Sequence, residues 1–281
     1  ARHLADHHAR GRLVSIRIAI GKIQLTLFGL LCGASIGREG PTVQVGSSIM
    51  FAIGRLSPRR QRGLILAGAS AGIAAAFNTP LAGIIFGIEE MSRAFEIQTS
   101  GLMIGGIIIA GLTSVALMGD YTYFGTTSVV LHGLSGWIAV LLCAVSGGLL
   151  GGLFSRTLIE FGRGLPGAVG LMIKRHPIVF AMLCGLGTVG CGIASGNTIY
   201  GTGYSQVKAL MENGAPLPQL FGLLKLVATT LASISGVPGG IFSPSLAVGA
   251  GLGFNLAAWF PSVPLNALIL LGMVSYFTGV V

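Results

Sequence analysis

Long apolar stretches, broken at short intervals by glycine and proline and almost empty of charge, leave this chain few folds to choose from. They run over about 13–35, 41–54, 63–77, 80–91, 102–118, 136–158, 177–195, 217–235, 241–259 and 265–281. The chain is 52% hydrophobic and only 9% charged, where soluble domains average about 25% charged. So few polar groups cannot cover that much apolar surface in water. An all-α polytopic membrane protein follows, because helices satisfy their own backbone groups in lipid. Several stretches are too short or too rich in glycine to be simple spans of about 20 residues. Interrupted segments of this kind read as broken half-helices, and the 46 glycines suit close helix contacts.

The net charge of +9 would fit nucleic acid if it formed a patch. Instead the cations sit in short hydrophilic gaps: Arg2, Arg10 and Arg12; Arg55, Arg59, Arg60 and Arg62; Lys174 and Arg175. That is the positive-inside pattern of a multi-pass protein, and no nucleic-acid partner is expected. Residues 1–12 and 55–62 are assigned to the cytoplasmic side, and 119–135, without Lys or Arg, to the outside. Glu89, Glu90 and Arg93 then fall on the cytoplasmic side. Trp137 and Trp259 lie near segment ends, as interfacial anchors do. Residues 1–12 are polar with no leading apolar run, so no cleavable signal is expected.

One segment occurs twice. KIQLTLFGLLCGASIGREGPTVQVGSSI begins at Lys22 and KLVATTLASISGVPGGIFSPSLAVGAGL at Lys225. At one constant offset Lys22 meets Lys225, Gly33 meets Gly236, Gly37 meets Gly240, Pro41 meets Pro244, Thr42 meets Ser245, Val45 meets Val248 and Gly46 meets Gly249. Each copy reads as an apolar helix, a glycine-rich break, a proline and a second helix of small residues. The first copy leads into SPRRQR and the second into the uncharged FPSVPLNA. Opposite senses in the membrane follow, which makes the pair an inverted repeat.

A helix that starts inside the membrane presents backbone N–H groups and about half a positive charge. Two such starts make an anion site without a metal. The candidate amides belong to Glu39 and Gly40 in GREGP, with Arg38 beside them, and to Ile241 and Phe242 after Gly240 in GGIFSP. A carboxylate in lipid costs about 2.5–3.5 kcal/mol. Glu39 stands where the backbone favours negative charge. Ionised, it can occupy the anion site; protonated, it can leave the site to an anion. The other reading pairs Glu39 with Arg38 or Lys22 as structural glue.

GREGP (37–41), GIFSP (240–244) and AAFNTPLAGIIFGIEEM (75–91) together resemble the signature segments of the CLC family of chloride channels and chloride/proton exchangers. The resemblance runs along nearly the whole chain. It implies a CLC-type fold with inverted-topology repeats and broken half-helices, a single transmembrane domain over 1–281 with approximate halves 1–118 and 136–281. It also implies a two-pored homodimer in a prokaryotic-type plasma membrane, with chloride and protons as partners and no cofactor. In the family the glutamate of GREGP, here Glu39, is the outer gate. The second glutamate of IEE, here Glu90, matches the inner proton-transfer residue of exchangers. A carboxylate paired with Arg93 one turn on is the other reading of Glu90. The family's serine-bearing anion segment would lie before residue 1 and its anion-contacting tyrosine after Val281, so the chain is expected to be incomplete at both ends. Chloride/proton antiport is the leading expectation. A passive chloride channel comes second and a fluoride/proton exporter third, since the latter branch varies these motifs. A structural scaffold with vestigial sites is the alternative of another class.

Other residues are read more plainly. His3, Asp6, His7 and His8 look like a metal cluster but suit a solvated cytoplasmic segment better. Cys32, Cys143, Cys184 and Cys191 lie in apolar runs without metal spacing. Gly147, Gly148, Gly151 and Gly152 suit close helix packing, with a subunit contact as second reading. Lys225, alone in an apolar helix, could face a vestibule or be paired internally. YGTGYSQVKALMENG (200–214) lacks the ending of a phosphate loop. No Ser/His/Asp or Cys/His arrangement points to an enzyme.

Overall fold

The computed structural model describes residues 14–56, 61–91, 97–119 and 122–281. Those residues form twelve helices. In chain order they are α1 (Ile16–Leu31), α2 (Glu39–Gly54), α3 (Gln61–Phe77), α4 (Pro80–Met91), α5 (Ile97–Met118), α6 (Gly133–Arg163), α7 (Gly167–Arg175), α8 (Pro177–Ala194), α9 (Tyr204–Asn213), α10 (Phe221–Ile234), α11 (Phe242–Ala257) and α12 (Leu265–Val280). The apolar stretch expected over 80–91 is α4 to the residue. The short helices α7 and α9 carry too few apolar residues to register as spans. α6 and α8 are long and apolar enough to cross a bilayer. With 31 residues, α6 is about 46 Å long, against a hydrocarbon core of about 30 Å. Its Trp137, 71% exposed, lies in its first turns.

The chain divides into two compact units, Ala1–Leu27 with Arg38–Tyr123, and Phe28–Gly37 with Phe124–Val281. In the first, α3 packs against α2, α4 and α5. Glycine makes these approaches possible. A Cβ on Gly46 would strike the carbonyl oxygen of Gly68, and one on Gly72 would come within 2.6 Å of the Thr42 oxygen. α3 ends at Asn78, whose φ of 53° is left-handed. Asparagine tolerates that region through local hydrogen bonds. Its Nδ2 donates to the Gly119 carbonyl at 3.3 Å, and Ser114 Oγ donates to its Oδ1 at 3.2 Å. Pro80 then opens α4, as proline suits a first helical turn.

In the second unit α12 lies against both α11 and α6, and α10 against α11 and α8. The devices are the same. A Cβ on Gly249 would strike the Gly272 oxygen, and one on Gly253 the Leu268 oxygen. Gly147 and Gly151 of α6 leave room for Ser275, Tyr276 and Gly279 of α12. The glycine spacing in α6 therefore serves packing within the chain. Its core gathers Ile199, Val207, Leu210, Phe221, Ala247 and Ile269, all nearly inaccessible. Cys143 and Cys184 are buried packing residues and Cys191 is half-buried, whereas Cys32 is exposed.

Candidate functional site

Both copies of the repeat fold alike. Each first helix ends in a left-handed glycine, Gly33 at φ 83° and Gly236 at φ 86°. Glycine alone reaches that region without strain. Each second helix has 16 residues and begins after a residue of nearly the same backbone: Arg38 at φ −99°, ψ −10° and Ile241 at φ −110°, ψ −9°. The first intrahelical bonds match too. Thr42 N–H donates to the Arg38 carbonyl at 3.1 Å, and Ser245 N–H to that of Ile241 at 3.0 Å. Neither Arg38 nor Ile241 caps its helix with its own side chain. Pro41 and Pro244, third in their helices, have no N–H to leave over.

The second unit contains the break of both copies, because Phe28–Gly37 belongs to it. There the two breaks meet. Gly37 N–H donates to the Gly240 carbonyl at 2.6 Å, and Gly240 N–H donates to the Gly37 carbonyl at 2.7 Å. The pair forms an antiparallel bridge. Antiparallel pairing of equivalent residues is what a two-fold relation between the copies requires at that point. A helix start follows two residues after each bridged glycine. Further contacts hold the first break. Ser35 and Thr229 hydroxyls lie 2.9 Å apart, both buried. The side chain of Ile36 fills the space beside Gly239, where a Cβ would sit 2.5 Å from that of Ile36.

The residues expected at the site fall into distinct surroundings. Glu39 opens α2 and is fully buried. Thr42 Oγ1 donates to the Glu39 carbonyl at 2.7 Å. Arg38 is exposed, and its guanidinium lies 5.7 Å from the centre of the Tyr123 ring, within cation–π range. Phe77 meets the same ring edge-on at 5.2 Å. Gly40 is the second residue of α2. Phe242 opens α11 and its ring packs on Phe277 at 5.2 Å. Ile241 lies against the cluster of Phe154, Val248 and Tyr276. Glu90 belongs to the last turn of α4, but its side chain, like those of Glu89 and Arg93, lies outside the described residues. His3, Asp6, His7 and His8 lie outside them as well. Among the described residues no group of His, Cys, Asp and Glu could hold a metal.

Three features escape sequence reasoning. The Ser35–Thr229 contact joins two small hydroxyls from remote apolar stretches, and no local pattern announces it. Tyr123 under Arg38 lies in a loop with no spacing signal. Lys225 was visible as a lone cation, but its surroundings were not. It is fully buried, and its Nζ donates to the carbonyls of Ile199 at 2.7 Å and Gly201 at 2.6 Å. Internal pairing is therefore the reading that holds.

Comparisons with known proteins agree with this geometry. The model of the voltage gated chloride channel family matches residues 2–281. The chain is 33% identical over 256 residues to the H(+)/Cl(−) exchange transporter ClcA of Yersinia pestis, covering 84% of this chain and 51% of that protein. It is 31% identical over 240 residues to chloride channel protein CLC-f of Arabidopsis thaliana, covering 79% and 30%. Among solved structures, a CLC-type fluoride/proton antiporter superposes with TM-score 0.73 at 27% identity, over 88% of this chain and 62% of that one. A slow cyanobacterial Cl−/H+ antiporter gives 0.64 at 25%, over 88% and 60%. The chain thus spans about half the length of the exchange transporter it matches. The matched span and the relatives lead to one conclusion: this chain belongs to the CLC family of voltage gated chloride channels and their exchanger relatives.

Proposed function

We propose that this protein exchanges chloride for protons across a membrane, with Glu39 as the gate and Glu90 as the inner proton relay. As a family member it is an integral membrane protein; a prokaryotic-type plasma membrane and a homodimeric assembly are part of the proposal. The observation that carries it is the Gly37–Gly240 bridge, with a helix start two residues beyond each glycine. The amide of Gly40 at the start of α2, and those of Ile241 and Phe242 at the start of α11, are the proposed anion donors, each favoured by its own helix dipole. Such a site holds a halide by partial charges alone, weakly enough for it to leave. Arg38, exposed above Tyr123, adds positive potential on the approach.

Glu39 supplies the coupling. It is the first residue of α2 and wholly buried. Its ionised carboxylate is attracted by the same dipole as the anion and competes with it. Taking up a proton removes that attraction and frees the site. One proton is thereby carried as the anion moves, and Glu90 passes it on at the inner end. The test uses the protein at its full encoded length in liposomes, recording chloride flux and proton movement together. Glu39→Gln should keep chloride flux, lose its dependence on pH and reduce proton movement to background. Glu90→Gln should reduce proton movement with chloride flux retained. Undiminished proton pumping in Glu39→Gln would refute the gate. Fluoride in place of chloride tests the third reading, a fluoride/proton exporter of the same fold: faster fluoride than chloride transport would make it the substrate.

A further inference from the structure

A lysine in the middle of an apolar helix is an expensive residue unless it has work there. Lys225 is 0% exposed, and among the described residues its ammonium meets no carboxylate. Its hydrogen-bond partners are the carbonyls of Ile199 and Gly201. These belong to the loop between α8 and α9, which has been bent to present them. Gly196, Asn197, Gly201 and Gly203 all have positive φ, between 64° and 77°. Gly203 must also lack a side chain. A Cβ there would lie 3.1 Å from Lys225 Cε and 2.6 Å from the Ala247 Cβ. The glycines that resembled a phosphate loop in the sequence therefore wrap an internal cation.

Between the two caged carbonyls stands Tyr200, and its ring faces the first break. A Cβ on Gly33 would lie 3.2 Å from the Tyr200 ring, and one on Gly192 would strike its hydroxyl. Tyr200 is thus wedged between the end of α8 and the turn at Gly33. Four residues past Gly33 comes Gly37 and the bridge to Gly240. One turn further along α10, Thr229 reaches Ser35 directly. All these contacts lie within one compact unit. The repeat has no counterpart: Lys22, the equivalent of Lys225, is partly exposed and donates no hydrogen bond among the described residues.

We propose that Lys225 is a positioning residue for the anion site: it draws the 199–203 loop closed, so that Tyr200 braces the Gly33 turn and, with the Ser35–Thr229 contact, fixes the Gly37–Gly240 bridge. This rests on the reading that the helix starts beyond that bridge hold the anion. Methionine at 225 keeps the length of the side chain and removes the donors. The loop carbonyls lose their partner, the loop relaxes, and the Gly37–Gly240 bridge loses its brace. Arginine keeps donors for the carbonyls.

The test measures chloride binding to the purified, full-length protein by isothermal titration calorimetry, beside thermal stability. Lys225→Met should raise the chloride Kd about ten-fold, the scale set by buried carbonyls left without a donor. Lys225→Arg should recover part of that loss. Tyr200→Ala should weaken binding similarly, and Lys225→Met with Tyr200→Ala should be no worse than the weaker single variant, since both act through one strut. Thr229→Val, which leaves the cage intact, should add its own smaller loss. A folded Lys225→Met protein with wild-type chloride Kd overturns the proposal, as do losses that multiply in the double variant. If Lys225→Met fails to fold, Tyr200→Ala decides alone: an unchanged Kd sinks the strut. Glu39→Gln measured for proton coupling in parallel separates the two readings. Persistent coupling there defeats the antiport mechanism, whereas the chloride Kd values bear on the strut alone.

Discussion

The two copies of the repeat have the same backbone and opposite chemistry. Their first helices end in matched left-handed glycines, their second helices have equal length, and the residues before those helices differ by about 11° in φ and 1° in ψ. One helix then begins with Glu39, fully buried. The other begins with Phe242, whose ring packs on Phe277. Thr42 returns its hydroxyl to the Glu39 carbonyl, whereas the equivalent Ser245 is buried and, among the described residues, its Oγ has no hydrogen-bond partner. Lys22 is partly exposed and Lys225 is caged. Binding an anion at helix starts depends on backbone alone, so both copies retain that geometry. On the proposed mechanism, coupling the anion to a proton needs one titratable group, and the first copy supplies it in Glu39. In the second copy the lysine is hydrogen-bonded to the 199–203 loop instead.

The largest effect should come where the copies are alike. Gly46 and Gly249 occupy equivalent positions, and a Cβ on either would strike a carbonyl oxygen of the next helix, Gly68 or Gly272. Backbone cannot move aside as a flexible side chain can. Gly46→Ala and Gly249→Ala should each cost about 3 kcal/mol, the upper end for overpacking, read as a lowered midpoint of unfolding in mixed detergent. Near-equal losses are expected. A harmless Gly249→Ala beside a damaging Gly46→Ala would break the equivalence.

Next comes an exchange of character between the copies. Phe242→Glu places a carboxylate at the second helix start, where the dipole favours its ionised form by up to about 2 kcal/mol. That group should compete with the anion as proposed for Glu39. As pH rises through the range in which it ionises, chloride flux should fall about thirty-fold, the equivalent of that energy. Acidification should restore the flux, because the neutral acid has no claim on the site. In Glu39→Gln, which is expected to be insensitive to pH, the added Phe242→Glu should bring pH dependence back. Stopped flow of chloride from liposomes over a pH series reads both. A flux independent of pH in the double variant would mean that Phe242 does not face the anion.

Much of this was legible because it depends on local rules. Gly33, Gly37, Pro41 and their equivalents mark a turn and a helix start by conformational necessity, so the repeat and its breaks could be read from spacing. Pro80 set the start of α4 for the same reason. Glu39 stood out because a carboxylate in an apolar chain needs an electrostatic reason to be there. The rest depends on tertiary contact. Whether Lys225 faces water or a carbonyl cage is decided by a loop more than twenty residues away. Arg38, expected beside Glu39 at the anion site, lies exposed against Tyr123, a loop residue whose approach no local pattern announces. α7 and α9 were invisible to an apolar scan, since short amphipathic helices have no run to detect.

The smallest effect distinguishes the two turns themselves. Gly33 and Gly236 share their left-handed backbone, so alanine at either should cost about 1 kcal/mol of strain. Their surroundings differ. Around Gly236 a Cβ would meet nothing within 4 Å, whereas at Gly33 it would press on the Tyr200 ring at 3.2 Å. Gly236→Ala should therefore show the bare conformational cost in an unfolding measurement. Gly33→Ala should cost somewhat more, and removing the ring in Gly33→Ala with Tyr200→Ala should erase that excess while leaving the strain. The excess, obtained as the coupling energy of that double-mutant cycle, reports how firmly the 199–203 loop bears on the first break. Equal costs at the two glycines would mean that the first turn is not braced by the 199–203 loop.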